Sequence, residues 1–410
     1  MASCGGHCHA ATAWMSIIIS EFMNAKVTPI TGAGMADSSP PFRFYDNRQK
    51  YLAFVTSCNE KSAIAHRATH EVTLLRPTPP AVRLFDAGMG DGTVITRVMR
   101  ATHWLFPAIP QFVVAKEISL EDVRLGLEKL PDRLFEHPAT VFVVTNLNYA
   151  EAPRLMPRDA QAAAALNWQE VRLTGSTAHE YAEQIEELGP LLVSGWQTKP
   201  SAKTGNPQVV RPTVLVIYRE DHKFLLDAVI PKPGRLFEHY DLVLASQPWR
   251  ARMGADFKVQ KILLPLARSL APGGRLLAIQ SCGHDPGLEI IQQLWPDERP
   301  FEVGRHELLT TLRRELGRDA REFIVSALPD EKAVFRYEMH TLPSEIGDRI
   351  GTSTLFAAWN AAIYVNQIED ERLDSVVTNG AYLAATQKIL QKHGGLWFND
   401  EAFVVTRRRD

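Results

Sequence analysis

Short hydrophobic runs alternate with amphipathic stretches over the first part of the chain. Residues 82–85, 112–115 and 141–144 are runs rich in Val and Phe, with the length and composition of buried β-strands. Residues 94–103 and 120–130, which lie between these runs, repeat apolar positions at the three- and four-residue steps of a helix. Strands that alternate with helices predict a parallel sheet wrapped by helices on both faces.

The same alternation returns later in the chain. Residues 240–245 and 275–279 have the pattern of two further strands, a helical pattern over residues 258–270 separates them, and residues 401–406 resemble a last strand. We therefore predict an α/β fold with a Rossmann-like, doubly wound, mainly parallel seven-stranded sheet.

Changes in pattern divide the chain into five segments. Residues 1–41, rich in Gly, Ala, Ser and Thr, are predicted to form a flexible N-terminal segment. Residues 42–150 combine a leading helix with the first half of the core, and residues 236–300 supply its second half. Residues 151–235 are far longer than a crossover requires and predict an inserted cap subdomain. Residues 301–410 predict a helical cover over the carboxyl edge of the sheet, followed by a final strand.

Composition excludes several classes of protein. The chain has 410 residues, of which 45% are hydrophobic and 22% charged, and its net charge of −2 disfavours nucleic acid as a partner. Residues 14–19, the most apolar stretch near the start, are too short to span a bilayer, and no Lys or Arg precedes them as in a signal peptide. Four cysteines are too few for a disulfide framework. We expect a cytoplasmic protein without membrane association. The sequence leaves open whether the protein forms a homo-oligomer.

Cysteine and histidine residues cluster near the start of the chain. The run Cys4-Gly-Gly-His-Cys8-His9 offers thiolates and imidazoles, which are zinc ligands. A second pair of ligands at a finger-like distance is missing. We therefore predict no metal site.

A glycine-rich turn follows the first predicted strand and precedes a helix. It reads Asp86-Ala-Gly88-Met89-Gly90-Asp-Gly92. Glycines here let the backbone turn tightly and approach a ligand, while the start of the helix offers free N–H groups. The residue five positions after Gly88 is Thr93, so the spacing of a dinucleotide-binding fingerprint is not met, and no Gly-Lys-Ser/Thr triplet of a Walker loop follows.

This turn resembles the first motif of the class I S-adenosylmethionine-dependent methyltransferases, an acidic residue followed by Gly-x-Gly-x-Gly. The resemblance covers the core, residues 80–150 and 236–282, and implies S-adenosylmethionine as the cofactor. It implies that the glycines pass under the methionine part of the cofactor and that the acidic residue helps to hold its amino end. The residues that it assigns to cofactor binding in this turn are Asp86, Gly88, Met89, Gly90 and Gly92.

The resemblance extends to the ends of the next two strands. The family has an acidic residue after the second strand that accepts hydrogen bonds from both ribose hydroxyls, and Glu117, followed by Ile118, stands at that point. After the third strand the family often has an Asp that faces the adenine amino group, where this chain has Asn146 and Leu147. Asn146 departs from the acidic pattern, and an Asn that only supports a turn remains the alternative.

Candidate catalytic residues follow the fourth core strand, in the run Ser246-Gln247-Pro248-Trp249. Methyltransferases that act on nitrogen attached to a planar group have Asn, Asp or Ser here, then usually Pro, then Pro and an aromatic residue. Ser246, Pro248 and Trp249 match this pattern loosely, and Gln247 does not. A side-chain oxygen and a backbone carbonyl would accept from the target N–H while the ring stacks on the substrate. The pattern favours nitrogen as the accepting atom, and the predicted covers favour a small-molecule acceptor in an enclosed pocket.

Three other functions stay open. One is methylation of a protein or an RNA, and another is a non-catalytic S-adenosylmethionine-binding partner subunit. The third is aminopropyl transfer, which would need an acidic pair where the chain has Ser246 and Gln247. His284, after the fifth core strand, is a candidate general base.

Overall fold

The computed structural model describes residues 48–201, 207–235, 239–341, 343–347 and 349–409. The predicted flexible segment 1–41, with its Cys and His cluster, lies outside these ranges. Within them, no helix combines the length and the apolar character needed to cross a membrane.

Most of the strands in the described ranges belong to one ten-stranded sheet, and β5 and β6 pair separately. The strands are β1 (Val82–Asp86), β2 (Gln111–Lys116), β3 (Thr140–Thr145), β4 (Asn167–Leu173), β5 (Thr198–Pro200), β6 (Pro207–Val209), β7 (Thr213–Arg219), β8 (Tyr240–Ser246), β9 (Leu270–Ser281), β10 (Phe323–Ser326), β11 (Val334–Glu338) and β12 (Trp397–Arg407).

Helices pack on both faces of this sheet and over one of its edges. They are α1 (Arg48–Ser57), α2 (Glu60–Val72), α3 (Thr93–Leu105), α4 (Leu120–Leu127), α5 (Leu130–Glu136), α6 (Ala160–Ala164), α7 (Ala178–Glu186), α8 (Gly189–Gly195), α9 (Lys223–Leu226), α10 (Ala255–Lys258), α11 (Leu264–Arg268), α12 (Pro286–Leu294), α13 (Arg305–Leu316), α14 (Asp330–Ala333), α15 (Thr352–Val365), α16 (Leu373–Thr378) and α17 (Ala381–His393). A π-helical turn, Val259–Leu263, joins α10 to α11, and 3₁₀ turns cover Ala152–Arg154, Glu220–His222, Gly317–Glu322, Pro343–Glu345 and Asp370–Arg372.

The strand order of the main sheet is β10-β12-β9-β8-β1-β2-β3-β7-β4, and β11 pairs with β12. β1 is parallel to both β2 and β8, so the chain winds outward in opposite directions from β1. Every residue of β2 and of β3 is buried, which explains why these strands are continuous apolar runs, since helices cover both faces of the sheet. The predicted Rossmann-like, doubly wound fold is confirmed. A crevice forms where the winding reverses, at the carboxyl ends of β1 and β8.

Segment 151–235 differs from the predicted cap. β7 pairs antiparallel with β3 and β4 pairs parallel with β7, so two strands of this segment extend the sheet beyond the predicted seven strands. β7 is buried along its whole length, whereas only the ends of β4 are. The apolar run of β7 therefore completes the core on this side.

Helices at both ends of the described chain meet over the carboxyl edge of the sheet. The predicted leading helix is two helices, because the chain breaks at Cys58, which bridges to Met339. Phe54 of α1 stacks on Tyr364 of α15, with ring centroids 4.8 Å apart. These contacts belong to a third hydrophobic cluster, separate from the cores on the two faces of the sheet. The cluster holds α1 and α15 above the crevice.

Candidate functional site

A cavity of about 420 Å³ opens at the carboxyl ends of β1, β2, β8 and β9, within the size range of small-molecule sites. We name two parts of its wall the glycine half and the tryptophan half. The glycine half comprises Ala87, Gly88, Gly90, Lys116, Glu117, Ile118 and Asp122. The tryptophan half comprises Ser246, Gln247, Pro248, Trp249, Arg250, Ala251, Met253, Phe257, Lys258, Ile262, Phe301 and Val303. His284 is exposed and is not part of the wall.

Two glycines of the predicted motif form part of the glycine half. A Cβ added to Gly88 would meet no protein atom within 4 Å, so the absent side chain leaves open space in the cavity. Gly90 has a φ of +53°, a conformation that favours glycine. The carboxylate of Asp86 accepts a hydrogen bond from the Gly88 N–H at 3.1 Å. Burial raises the pKa of Asp86 to about 7, and that hydrogen bond opposes the rise. Asp86 thus stabilises the turn through its hydrogen bond to Gly88.

Met89 and Gly92 lie behind the cavity wall and not on it. The resemblance, in contrast, implies that both residues contact the cofactor. Gly92 has a φ of +77°, and a Cβ there would lie 2.6 Å from the Cα of Gly126 in α4. Met89 is buried, and its side chain covers the same Gly126 from another side. Both residues therefore serve the close packing of the turn against α4.

Glu117 lies at the end of β2 and faces the cavity. Its carboxylate accepts hydrogen bonds from the backbone N–H of Gly90 at 2.9 Å, of Ile118 at 2.7 Å and of Ser119 at 2.9 Å. A carboxylate has about four acceptor positions, so one remains for a ligand hydroxyl even with all three bonds intact. Glu117 ties the glycine turn to β2, and Ile118 lies beside it on the wall.

Asn146 does not lie on the cavity wall, where the predicted adenine contact would place it. Its amide N–H groups donate to the carbonyls of Gly195 at 2.9 Å and Arg211 at 3.0 Å. Its amide oxygen accepts from the backbone N–H of Thr213 at 2.8 Å. Leu147 is buried in the core. These partners lie at the end of α8, in the loop before β7 and at the first residue of β7, so Asn146 joins the added strand to the end of β3.

Ser246 and Pro248 lie on the cavity wall as predicted from the sequence. The carbonyl of Pro248 accepts a hydrogen bond from the hydroxyl of Tyr149 at 2.9 Å. The ammonium of Lys116 lies 4.5 Å from the centre of the Tyr149 ring. Tyr149 therefore connects the two halves of the cavity, a role that no sequence motif indicated.

Gln247 and Trp249 are held by hydrogen bonds to the neighbouring strands. Gln247 has a φ of +49°, and its side-chain amide donates to the Ser281 hydroxyl at 3.0 Å and to the Asp400 carboxylate at 3.1 Å. The indole N–H of Trp249 donates to the side-chain oxygen of Gln280 at 2.8 Å. The loop that carries the predicted catalytic residues is therefore fixed in place before any ligand binds.

Tyr51 of α1 is a site residue that the sequence reasoning missed. Its hydroxyl is buried with no hydrogen-bond partner in the described part of the chain, and it would lie 3.0 Å from a Cβ at Gly90. Burial raises the pKa of Tyr51, which keeps the phenol neutral and able to donate. A buried polar group without a partner is unfavourable, so this hydroxyl is poised to bond a ligand over the glycine turn.

No protein-family model matches this chain, and no curated protein matches it. Solved structures do. A geranyl diphosphate methyltransferase in complex with geranyl diphosphate and sinefungin is 11% identical, with 83% of this chain and 77% of that chain covered and a TM-score of 0.32. Phosphoethanolamine N-methyltransferase 2 of Haemonchus contortus, in complex with S-adenosyl-L-methionine, is 11% identical, with 97% and 74% covered and a TM-score of 0.31. An rRNA methyltransferase of Streptomyces viridochromogenes is 14% identical, with 60% and 77% covered and a TM-score of 0.20.

Proposed function

We propose that this protein is an S-adenosylmethionine-dependent methyltransferase that methylates a small molecule, with nitrogen favoured as the accepting atom. The observation that carries the proposal is the open space over Gly88, at the point where the winding of the sheet reverses. Ligands of doubly wound sheets bind at this point. The sequence of the turn resembles the methyltransferase motif and matches neither nucleotide-binding alternative.

The residues of the glycine half fit the cofactor chemically. Gly88 and Gly90 leave room for a ligand against the backbone. The Glu117 carboxylate suits a ribose hydroxyl, because its Oε2 accepts one backbone hydrogen bond and keeps one acceptor position for a ligand O–H. The unpartnered hydroxyl of Tyr51 offers a polar contact above Gly90. When bound, the cofactor supplies an activated methyl group on a sulfonium that leaves as a neutral sulfide.

The protein's own task is to orient the acceptor and to exclude water. Ser246 and the backbone carbonyl of Gln247 are suited to accept hydrogen bonds from an amine, which directs its lone pair without a strong base. Trp249 offers an aromatic surface in the same half of the cavity. Phe54 and Tyr364 close the cavity on the side of the helical cover.

Calorimetry of the purified protein tests the cofactor. We expect saturable binding of both S-adenosylmethionine and S-adenosylhomocysteine, and no heat of binding at high micromolar ligand would end the proposal. Fractions of a cell extract, incubated with the protein and methyl-labelled cofactor, then test the reaction. Label in a small-molecule fraction supports the proposed acceptor class, whereas label confined to protein or RNA contradicts it.

A further inference from the structure

A buried lysine lies in the tryptophan half of the cavity. Lys258, the last residue of α10, is 1% exposed and forms part of the wall. Its ammonium donates to the carbonyl of Ala251 at 3.0 Å and lies 5.6 Å from the centre of the Trp249 ring. Among the described residues, no carboxylate lies within ion-pair distance of it. The charge of Lys258 therefore has a carbonyl and a ring face beside it, but no counter-ion.

A buried ammonium without a counter-ion is unfavourable. An ammonium has three N–H donors, and the Ala251 carbonyl takes one of them. Burial lowers the pKa of Lys258 to about 8, although the carboxylates of Glu401 and Glu307 oppose this at longer range. Glu401 is already paired with Arg305, at 2.9 Å. An anion beside Lys258 would supply the missing counter-ion and stabilise the charged form of its ammonium.

The surroundings of Lys258 distinguish this half of the cavity from the other. Three carboxylates line the cavity: Glu117 and Asp122 belong to the glycine half, and Glu60 of α2 is paired with Lys61 at 3.0 Å. Arg250 is a second cation in the tryptophan half. Most of the other large side chains here are apolar, namely Met253, Phe257, Ile262, Phe301 and Val303, and the amide of Gln247 already donates to Ser281 and Asp400. A ligand that fits these walls has an apolar body and one anionic group.

We propose that the methyl acceptor carries an anionic oxygen group, a carboxylate or a phosphate ester, on an apolar body, and that Lys258 binds that group. The proposal rests on the proposed function, because it takes the tryptophan half as the acceptor site. Lys258 is then a specificity-determining residue, because it distinguishes an anionic acceptor from a neutral molecule of the same shape.

Three small aromatic probes test this without knowledge of the natural acceptor. Benzoate and phenyl phosphate carry the two kinds of anionic group, and benzamide is the neutral counterpart of benzoate. Each is titrated into the cofactor-free protein by calorimetry. We expect the wild type to bind at least one anion about tenfold or more tightly than benzamide, as for a charge-assisted contact in a buried site. The stronger of the two anions identifies the group that the site takes.

Two variants locate the effect. Lys258→Met should abolish the preference for the anion, whereas Lys258→Arg should retain part of it. Lys261→Met is the matched control, because Lys261 is exposed in the adjoining π-helical turn, and it should behave as the wild type. Far-ultraviolet circular dichroism and S-adenosylhomocysteine binding report whether each variant is folded.

The proposal is overturned if the wild type binds benzamide as tightly as both anions, or binds no probe up to the solubility limit. It is also overturned if a folded Lys258→Met variant keeps the preference. Cofactor titration separates this result from the proposed function. Normal S-adenosylhomocysteine binding without an anion preference sinks only the role of Lys258, whereas absent cofactor binding sinks the proposed function.

Discussion

Alanine substitution at two glycines of the same motif should have different effects, one on ligand binding and the other on stability. Gly88 has open space where a Cβ would go, and its φ lies outside the left-handed region. Gly92 has a φ of +77° and would place its Cβ 2.6 Å from the backbone of Gly126. Gly88→Ala should therefore weaken ligand binding without loss of stability, whereas Gly92→Ala should destabilise the fold.

The magnitudes follow from these contacts. Gly→Ala at an unstrained position changes the free energy of unfolding by about 1 kcal/mol or less, often as a gain. The new methyl group of Gly88→Ala protrudes into the cofactor's space, and overpacking of about 1–3 kcal/mol there corresponds to a Kd raised about 5- to 150-fold. For Gly92→Ala, left-handed strain of about 1–2 kcal/mol and a backbone clash of about 1–3 kcal/mol lower stability by about 2–5 kcal/mol in total.

Urea denaturation and calorimetry with S-adenosylhomocysteine separate the two effects. We expect Gly88→Ala to keep the wild-type urea midpoint and lose affinity. We expect Gly92→Ala to unfold at lower urea while its folded fraction binds with nearly wild-type affinity. If Gly88→Ala binds the cofactor as the wild type does, the space over Gly88 is not the cofactor site, and the reasoning fails.

Three further predictions follow from the site. Glu117→Ala should weaken S-adenosylhomocysteine binding by about 1–3 kcal/mol, because a ribose hydroxyl loses a charged acceptor. An unchanged Kd in calorimetry contradicts this. Trp249→Ala should raise the acceptor's KM and lower kcat with nearly unchanged cofactor affinity, and should also destabilise the fold by about 3–5 kcal/mol because the ring is buried. Trp104→Ala, at a position 81% exposed, is the control for this variant. The nitrogen assignment is refuted if Trp249→Ala weakens cofactor binding as much as acceptor binding, or if the methylated product is an ether. The folded pKa of Asp86, about 7, lies above its ordinary value, so its contribution to stability is complete below about pH 4 and is lost as the pH rises through about 7. In the Asp86→Asn variant, the urea midpoint should change less with pH over this range than in the wild type. An equally steep change in the variant contradicts this role of Asp86.

The central strands could be predicted from sequence because burial on both faces leaves them as continuous apolar runs. β2 and β3 are examples. β4 was missed because it lies at the edge of the sheet, is buried only at its two ends and includes Gln169, Glu170 and Arg172. β10 and β11 are short and also lie at a margin of the sheet. Edge strands lack the hydrophobic signal that identifies a strand in the core.

The sequence predicts a residue of the candidate site only where that residue lies at or directly after the end of a strand of the parallel core. Gly88, Glu117 and Ser246 follow directly from the ends of parallel strands, which meet at one edge. Asn146 also follows a strand end, but the added strand β7 engages its amide, which no spacing indicated. Tyr51 reaches the cavity only because α1 packs against α15, a contact between distant parts of the chain.

A crystal structure of the protein with S-adenosylhomocysteine tests the central claim most directly. The account predicts ligand density between the turn at Gly88 and Gly90 and the end of β2, with a ribose hydroxyl within hydrogen-bond distance of the Glu117 carboxylate. The sulfur should point toward Ser246 and Trp249. Crystals grown with saturating ligand that show the cavity without it, or that place the adenosine elsewhere on the protein, would contradict the account.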